Sequence, residues 1–365
     1  MARTWKRWLP AAVVPAVIAG GALTASLQAN AAVDLPDKSP QQLLEMVAGS
    51  DVHELTGTLE QQSALGLPEL PEDLPAEEGG QLATALEVLT STHTARVYRG
   101  GPDRTRLQVF DRFAERDVIR NGLEGWVYNS KQNEAVHLTL PPITEGGGES
   151  EDGGAAQTEA YSPEQLVDQL LESMTSHTKL SVGDDTSVAG RSAYQLVVEP
   201  NSAQTLVGSM VLAIDAETGL PLNVQVQARG QQEPAFQLGY TKLSLGAPDP
   251  GLFEFTPPAG ATVTEHAVPR HGSDAEKHNG KNDGGADAGD QVTKHGSGWE
   301  TVTEVPAAAL PDGWADSPLL AQVMEAVDGG RLISTALLNV YLTDDGRVFA
   351  GSVPLEQLQA AAEAR

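Results

Sequence analysis

The chain has 365 residues, with 23 Lys and Arg against 50 Asp and Glu, and a formal charge of −27. A length of this order accommodates two domains, and a body this acidic, without a compact Lys/Arg stripe, is repelled by nucleic acid. Cysteine is absent, which excludes disulfides, thiolate nucleophiles, Cys-ligated zinc, iron–sulfur clusters and lipid attachment at a lipobox cysteine.

Residues 1–31 read as a signal peptide. Arg3, Lys6 and Arg7 form a basic start, an apolar run extends from Leu9 to about Leu27, and Ala29-Asn30-Ala31 is a small-x-small cleavage site. Cleavage there places the protein outside the cytoplasmic membrane, in the extracytoplasmic cell envelope. An uncleaved membrane anchor is the alternative, because the run approaches the roughly 20 residues needed to span a bilayer. Pro10, Pro15 and Gly20-Gly21 interrupt it.

Ser39-Pro40 predicts a helix start, with Leu43, Leu44, Met46 and Val47 on one side and Gly49 as terminator. Val52 to Gln62 reads as a strand, 63–80 as a Pro- and Glu-rich loop, and Leu82 to Leu89 as a short helix. Strands then follow closely. Thr94–Arg99 and Arg104–Phe110 flank a Gly-Gly-Pro-Asp turn, and Glu115–Arg120 and Leu123–Tyr128 flank Asn121-Gly122, a strong two-residue hairpin signal. Ala135–Leu140 is next, then a flexible acidic insertion at 141–160. Ser162-Pro163 opens another helix, with Leu166, Val167, Leu170, Leu171 and Met174 at helical spacing.

Further strands are predicted at Lys179–Val182, Ser192–Val198, Met210–Asp215, Leu222–Ala228 and Ala235–Leu245. Residues 269–298 are polar and rich in Gly, and read as a disordered linker. Residues 299–365 form a small C-terminal α/β module. In it Pro318–Val327 reads as helix, Leu332–Leu342 and Arg347–Val353 as a hairpin around Asp344-Asp345-Gly346, and Pro354–Ala362 as a closing helix. The body therefore holds about nine or ten antiparallel strands with few helices. That is an α+β class, because the connections are too short for parallel crossovers.

Alternation assigns inward rows: Leu107 and Val109; Trp126 and Tyr128; Tyr194, Leu196 and Val198; Met210, Leu212 and Ile214; Leu222, Val224 and Val226; Phe236, Leu238 and Tyr240. These rows form an ordinary packed core or the lining of a pocket. The pocket follows if a sheet of this many strands curls and leaves space that few helices can fill; a dry pocket suits acyl chains. Arg96, Arg99, Arg104 and Arg106 make the single basic patch. They serve either as exposed cross-strand partners of acids or as contacts for lipid headgroups or an acidic partner. Four of the eight histidines (His266, His271, His278 and His295) fall irregularly between 266 and 295, without metal-ligand spacing. No nucleophile elbow and no phosphate loop is present. The reading is of a non-enzymatic protein with no catalytic residues, no metal and no cofactor, acting as a monomer.

Four segments carry a family resemblance. Gly125-Trp126-Val127-Tyr128 resembles the W-x-Y-D/N strand of LolA-like proteins, and Val188 to Leu196 resembles their V-x-G-R-x-A-Y-x-L strand. Ile214 to Leu222 resembles the D-x-x-T-G-L-P hairpin found there and in RseB/MucB regulators, and Phe253 to Ala261 resembles the closing strand. The resemblance covers residues 36–265, is to an exported protein of actinobacterial type, and leaves the C-terminal module outside. It implies an unclosed antiparallel β-barrel whose helix-capped concave face encloses an apolar cavity. It also implies a carrier or binder of a lipid or an acylated protein. The alternative it implies is an RseB-like envelope sensor binding a membrane protein, either an anti-sigma factor or a transporter. A hydrolase is the third reading and lacks a nucleophile motif.

Overall fold

The computed structural model describes residues 34–67, 92–110, 114–140, 177–267, 292–307, 320 and 323–364. The signal segment, the helix at Leu82–Leu89, the acidic insertion and the helix opening at Ser162-Pro163 lie outside the described residues, as does most of the linker.

Helix α1 (Pro40–Ala48) starts where Ser39-Pro40 predicts it. The Gln42 N–H donates to Ser39 Oγ at 3.3 Å, and the Ser39 N–H donates to Gln42 Oε1 at 2.8 Å. This reciprocal box satisfies two donors that a helix start leaves orphaned, and Pro40 has no N–H to satisfy. The Gly49 N–H closes the other end on the Glu45 carbonyl.

The body is one 13-stranded sheet among the described residues. Its strands are β1 (Glu54–Ser63), β2 (His93–Gly100), β3 (Arg104–Phe110), β4 (Glu115–Asn121), β5 (Glu124–Asn129), β6 (Glu134–Thr139), β7 (Thr178–Val182), β8 (Thr186–Val188), β9 (Arg191–Pro200), β10 (Val207–Asp215), β11 (Pro221–Ala228), β12 (Pro234–Leu245) and β13 (Thr262–Ala267). The order is β13-β6-β5-β4-β3-β2-β1-β12-β11-β10-β9-β7, with β8 also on β9. β13 and β7 end the order without pairing to each other, so the sheet is unclosed. Two antiparallel meanders, β1–β6 and β9–β12, join where β12 returns to β1.

Several expectations need correction. The strand count exceeds ten, partly because β8 has three residues and β13 lies past the segment expected to close the fold. Phe253–Ala261 is not a strand. Phe253 ends a 3-10 turn, Pro250–Phe253, and Pro257-Pro258 lack the N–H groups a ladder needs. The strand comes after them, and β13 runs parallel to β6. A parallel pair is possible here because β6 and β13 are far apart in sequence, whereas the short-connection argument constrains only neighbours. The β4–β5 loop is Gly122-Leu123, since Asn121 pairs with Glu124.

Among the described residues the module is a six-stranded sheet of β14 (Thr293–His295), β15 (Val302–Val305), β16 (Glu325–Val327), β17 (Gly330–Ser334), β18 (Asn339–Thr343) and β19 (Val348–Gly351), followed by helix α2 (Leu355–Glu363). β14 lies inside the stretch read as linker. Glu325–Val327, read as helix, is an edge strand held by pairing to β17. Leu332–Leu342 is two strands, not one. Thr335 Oγ1 accepts the Leu338 N–H at 2.8 Å and turns the chain between them. Phe349, Val353 and Leu358 are fully buried in the module's core, with Val302 and Tyr341.

The module is docked on the body. The Leu206 N–H and Thr205 Oγ1 both donate to the Ser352 carbonyl, at 2.7 and 2.8 Å. Trp299 Nε1 donates to Thr178 Oγ1 at 2.9 Å, and its ring packs against the body's core.

Candidate functional site

Strand pairing decides which side chains share a face, because directly opposed residues point the same way. The face carrying Leu196 is called the front. Leu196, Leu212, Val224 and Leu238 stand opposite one another in turn, and Val198, Met210, Val226 and Phe236 form the adjacent row. The expected rows of β9 to β12 thus meet on one face. At its β9–β10 end this face is filled. Tyr194, Leu196, Val198 and Ile214 are buried with Leu43, and Leu44, Met46, Val47, Met210 and Leu212 pack around them. α1 supplies the cover.

Leu222 leaves this group. The register shifts between Ala213 and Ile214, so Pro221 stands opposite Ile214. Leu222 packs with Ala193 and Ala213, with Tyr240 and Leu243 at the edge of that cluster.

The front face continues across β1. Tyr240 opposes Leu59, Leu59 opposes Ala95, and Ala95 opposes Val109. Leu107 and Val109 are therefore on the front. Trp126 and Tyr128, expected in the same lining, are not. Trp126 opposes Ile119, which opposes Arg106, the neighbour of Leu107. Both aromatics face the back.

The back of β2–β6 is a closed structure. Trp126 stacks on His137 with centroids 4.3 Å apart, and Phe255 lies 5.4 Å from Trp126 and 5.5 Å from Tyr128. Arg106 Nη2 donates to Asp117 at 2.7 Å and its Nη1 to the Leu252 carbonyl at 3.0 Å. Arg104 lies over Phe253 and donates to the Gly100 carbonyl, and Arg96 lies over Phe110. Three of the four expected headgroup arginines thus serve the back face, where the 250–255 segment packs over β3 and β4. Only Arg99, opposite Leu55 and Thr105, is on the front.

Sequence reading missed the front of β2–β6. Val97, Leu107, Val118, Val127 and Val136 stand opposite one another across five strands. Leu107 is 37% exposed, Val118 49% and Val127 38%. Arg116 and Arg120 flank Val118 on β4. The signal that could have found this row was the hairpin. Once Asn121 is paired with Glu124, Val118 must oppose Val127.

Two of the resembling motifs meet as one clasp. Arg191 of the G-R pair donates to both oxygens of Asp215, at 2.7 and 2.9 Å, and also to Glu217. Thr218 donates its hydroxyl and its N–H to Asp215. Burial pushes the Asp215 carboxyl up, but the Arg191 and Thr218 hydrogen bonds outweigh it, and the net direction is down. Gly219, at φ +73°, abuts the Met46 carbonyl of α1, and a Cβ there would collide with it. The clasp thus sets the hairpin against α1. An open cleft of about 450 Å³ lies beside it, lined by Lys38, Gln42, Glu45, Met46, Gly49, Glu217, Thr218 and Gly219. None of these is an expected cavity residue. Among the described residues no group of three or more His, Asp or Glu is placed to hold a metal ion. No helix among them is long and apolar enough to cross a membrane.

No protein-family model matches the chain, and no curated protein matches it. Solved structures do. The Pseudomonas aeruginosa MucA/MucB complex is similar at 18% identity and a TM-score of 0.42, over 88% of this chain and 96% of that one. MucB in complex with MucA(peri) is similar at 17% identity and a TM-score of 0.43, over 88% of this chain and 97% of that one. A LolA superfamily protein from Nitrosomonas europaea is similar at 11% identity and a TM-score of 0.22, over 60% of this chain and 99% of that one.

Proposed function

We propose that this chain is a non-enzymatic, extracytoplasmic binding protein that holds the acyl part of a lipid or acylated protein on the front of its sheet. The observation that carries the reading is the aliphatic row from Val97 to Val136. It continues a face that α1 covers only at the β9–β10 end, and three of its five members are exposed. Apolar burial is worth about 0.8 kcal/mol per CH2, so ten methylenes on this row supply about 8 kcal/mol before the cost of immobilising the ligand. The test is native mass spectrometry of the protein from its host, followed by delipidation and titration with an apolar fluorescent probe. Co-purified lipid and saturable probe binding are expected. A delipidated protein that binds no apolar probe removes the reading.

A protein partner is the second reading. Among the described residues the edge strand β13 pairs on one side only, with β6, and Thr262, Val263, Thr264 and Glu265 are exposed. Such an edge can accept a strand from another chain. MucB, to which this chain is similar, is seen with MucA(peri). A stable complex with a membrane-anchored protein in the same preparation, without bound lipid, favours this reading over the carrier.

A further inference from the structure

The front of β2–β6 carries a second feature beside its aliphatic row. Two residues along each strand, and so on the same face, Arg99, Thr105 and Arg120 stand opposite one another on β2, β3 and β4. The same row continues to Leu55 on one side and to Gly125 and Leu138 on the other, so it holds no carboxylate. The row on the far side of the valines differs: there Arg116 is followed by Asn129 and Glu134.

We infer that this face takes an anionic phospholipid, its phosphate between Arg99 and Arg120 with the Thr105 hydroxyl, and its chains laid along the front of the sheet. The inference rests on the acyl-binding reading above. Charge is the first argument. In a chain of net charge −27, two guanidinium groups share one row with only a threonine between them. Two strand spacings separate their Cα atoms by about 10 Å, which long side chains close around a single anion. A guanidinium has five donors and binds phosphate oxygens in pairs, so an arginine already bonded within the protein keeps donors for a ligand.

Tyr240 stands in the row of Leu59, Ala95 and Val109, on the other side of the valines from Arg99. Its ring lies over Gly57, where a Cβ would run into it. Burial pushes the Tyr240 phenol up, and the Arg99 charge opposes that rise. Arg104 and Arg106 contribute nothing here, since they are held on the back.

Width argues for a two-chain lipid. From Val97 to Val136 the row crosses five strands, about 19 Å, more than the roughly 15 Å of hydrocarbon in one bilayer leaflet. Beside the row, Ala95 and Val109 continue through Leu59 of β1 to Tyr240, which gives room beside the first chain. A free fatty acid fills one track only.

The experiment uses the full-length secreted protein, delipidated and loaded with the apolar probe N-phenylnaphthylamine. Competitors are dioleoyl phosphatidylglycerol, dioleoyl phosphatidylcholine and oleate in dilute mixed micelles. Phosphatidylglycerol is expected to displace the probe at about tenfold lower concentration than either rival, and salt near 0.5 M should weaken that advantage. Arg99→Gln with Arg120→Gln should remove the preference, read as the ratio of phosphatidylglycerol to phosphatidylcholine displacement within each protein, whereas Arg116→Gln should keep it. Equal displacement by phosphatidylcholine, parity with oleate, or a preference that survives in the double variant overturns the headgroup assignment and leaves acyl binding standing. Failure of the wild type to bind the probe overturns both. If the double variant melts early by circular dichroism, Arg99→Gln alone and the wild-type salt response decide: a salt-insensitive preference overturns the assignment, and its loss with salt and in Arg99→Gln supports it.

Discussion

The two halves of the large sheet are covered differently: the β9–β10 half buries both of its faces, and the β2–β6 half leaves part of its front exposed. Around β9 and β10 the front is closed by α1, and Leu196 and Ile214 are buried against Leu43. Across β2 to β6 it is the back that is closed, by Phe253 and Phe255, while Val118 and Val127 on the front stay exposed. One continuous ladder connects the halves, so a residue's face follows from pairing, but its burial follows from what packs on that face. A row of apolar residues is therefore core at one end and surface at the other. That exposed surface is what makes the molecule a candidate binder.

The sharpest way to break this comparison is to place the same charge at both ends. Leu196→Glu buries an unpaired carboxylate and should cost at least about 4 kcal/mol, enough to unfold the body in a thermal melt. Val118→Glu should shift stability by no more than about 0.5 kcal/mol and lower acyl-probe affinity. Early melting of Val118→Glu would show that the β2–β6 front is covered and would end the distinction.

The clasp that sets the hairpin against α1 ranks next. Arg191→Ala leaves Asp215 buried without its ion-pair partner and should cost about 3 kcal/mol by denaturant titration. Its pH signature has a definite sign. Asp215 has a depressed pKa in the folded protein, so its contribution is complete above the ordinary carboxylate range near 4 and is lost as pH falls through the lower folded value. Asp215→Asn should remove that acid-dependent part of the stability, and a mutant with an unchanged acid limb would deny the clasp its role.

On the back of β2–β6, Phe255→Ala should cost about 3 kcal/mol. A cycle with Trp126→Ala should show a coupling of about 1 kcal/mol. Acyl-probe affinity should not change, because both rings face away from the front row. A fall in affinity in a folded Phe255→Ala variant would place the binding surface on the back instead. The smallest effect is at the docked module. Trp299→Phe removes the bond to Thr178 and keeps most of the ring packing, so about 1 kcal/mol is expected in the melt.

Local chemistry determined much of this protein from its sequence. Ser39-Pro40 and Gly49 bound α1 because capping depends on residues within one turn. The hairpins of the body and the closing helix of the module were legible for the same reason. Alternation also grouped Tyr194, Leu196 and Val198 with Met210, Leu212 and Ile214, since the rows of adjacent strands meet without a register shift. Tertiary structure alone decided the rest. Trp126 was assigned to the interior because it is large and apolar, yet alternation has no sign: it says that Trp126 and Val127 face opposite ways, not which way is front. The register shift at Ile214 moved Leu222 by a displacement that no composition records. Arg104 and Arg106 serve the back because the 250–255 segment packs there and brings the Phe253 ring and the Leu252 carbonyl to them. Each of these depends on a partner remote in sequence, and only the folded sheet brings those partners together.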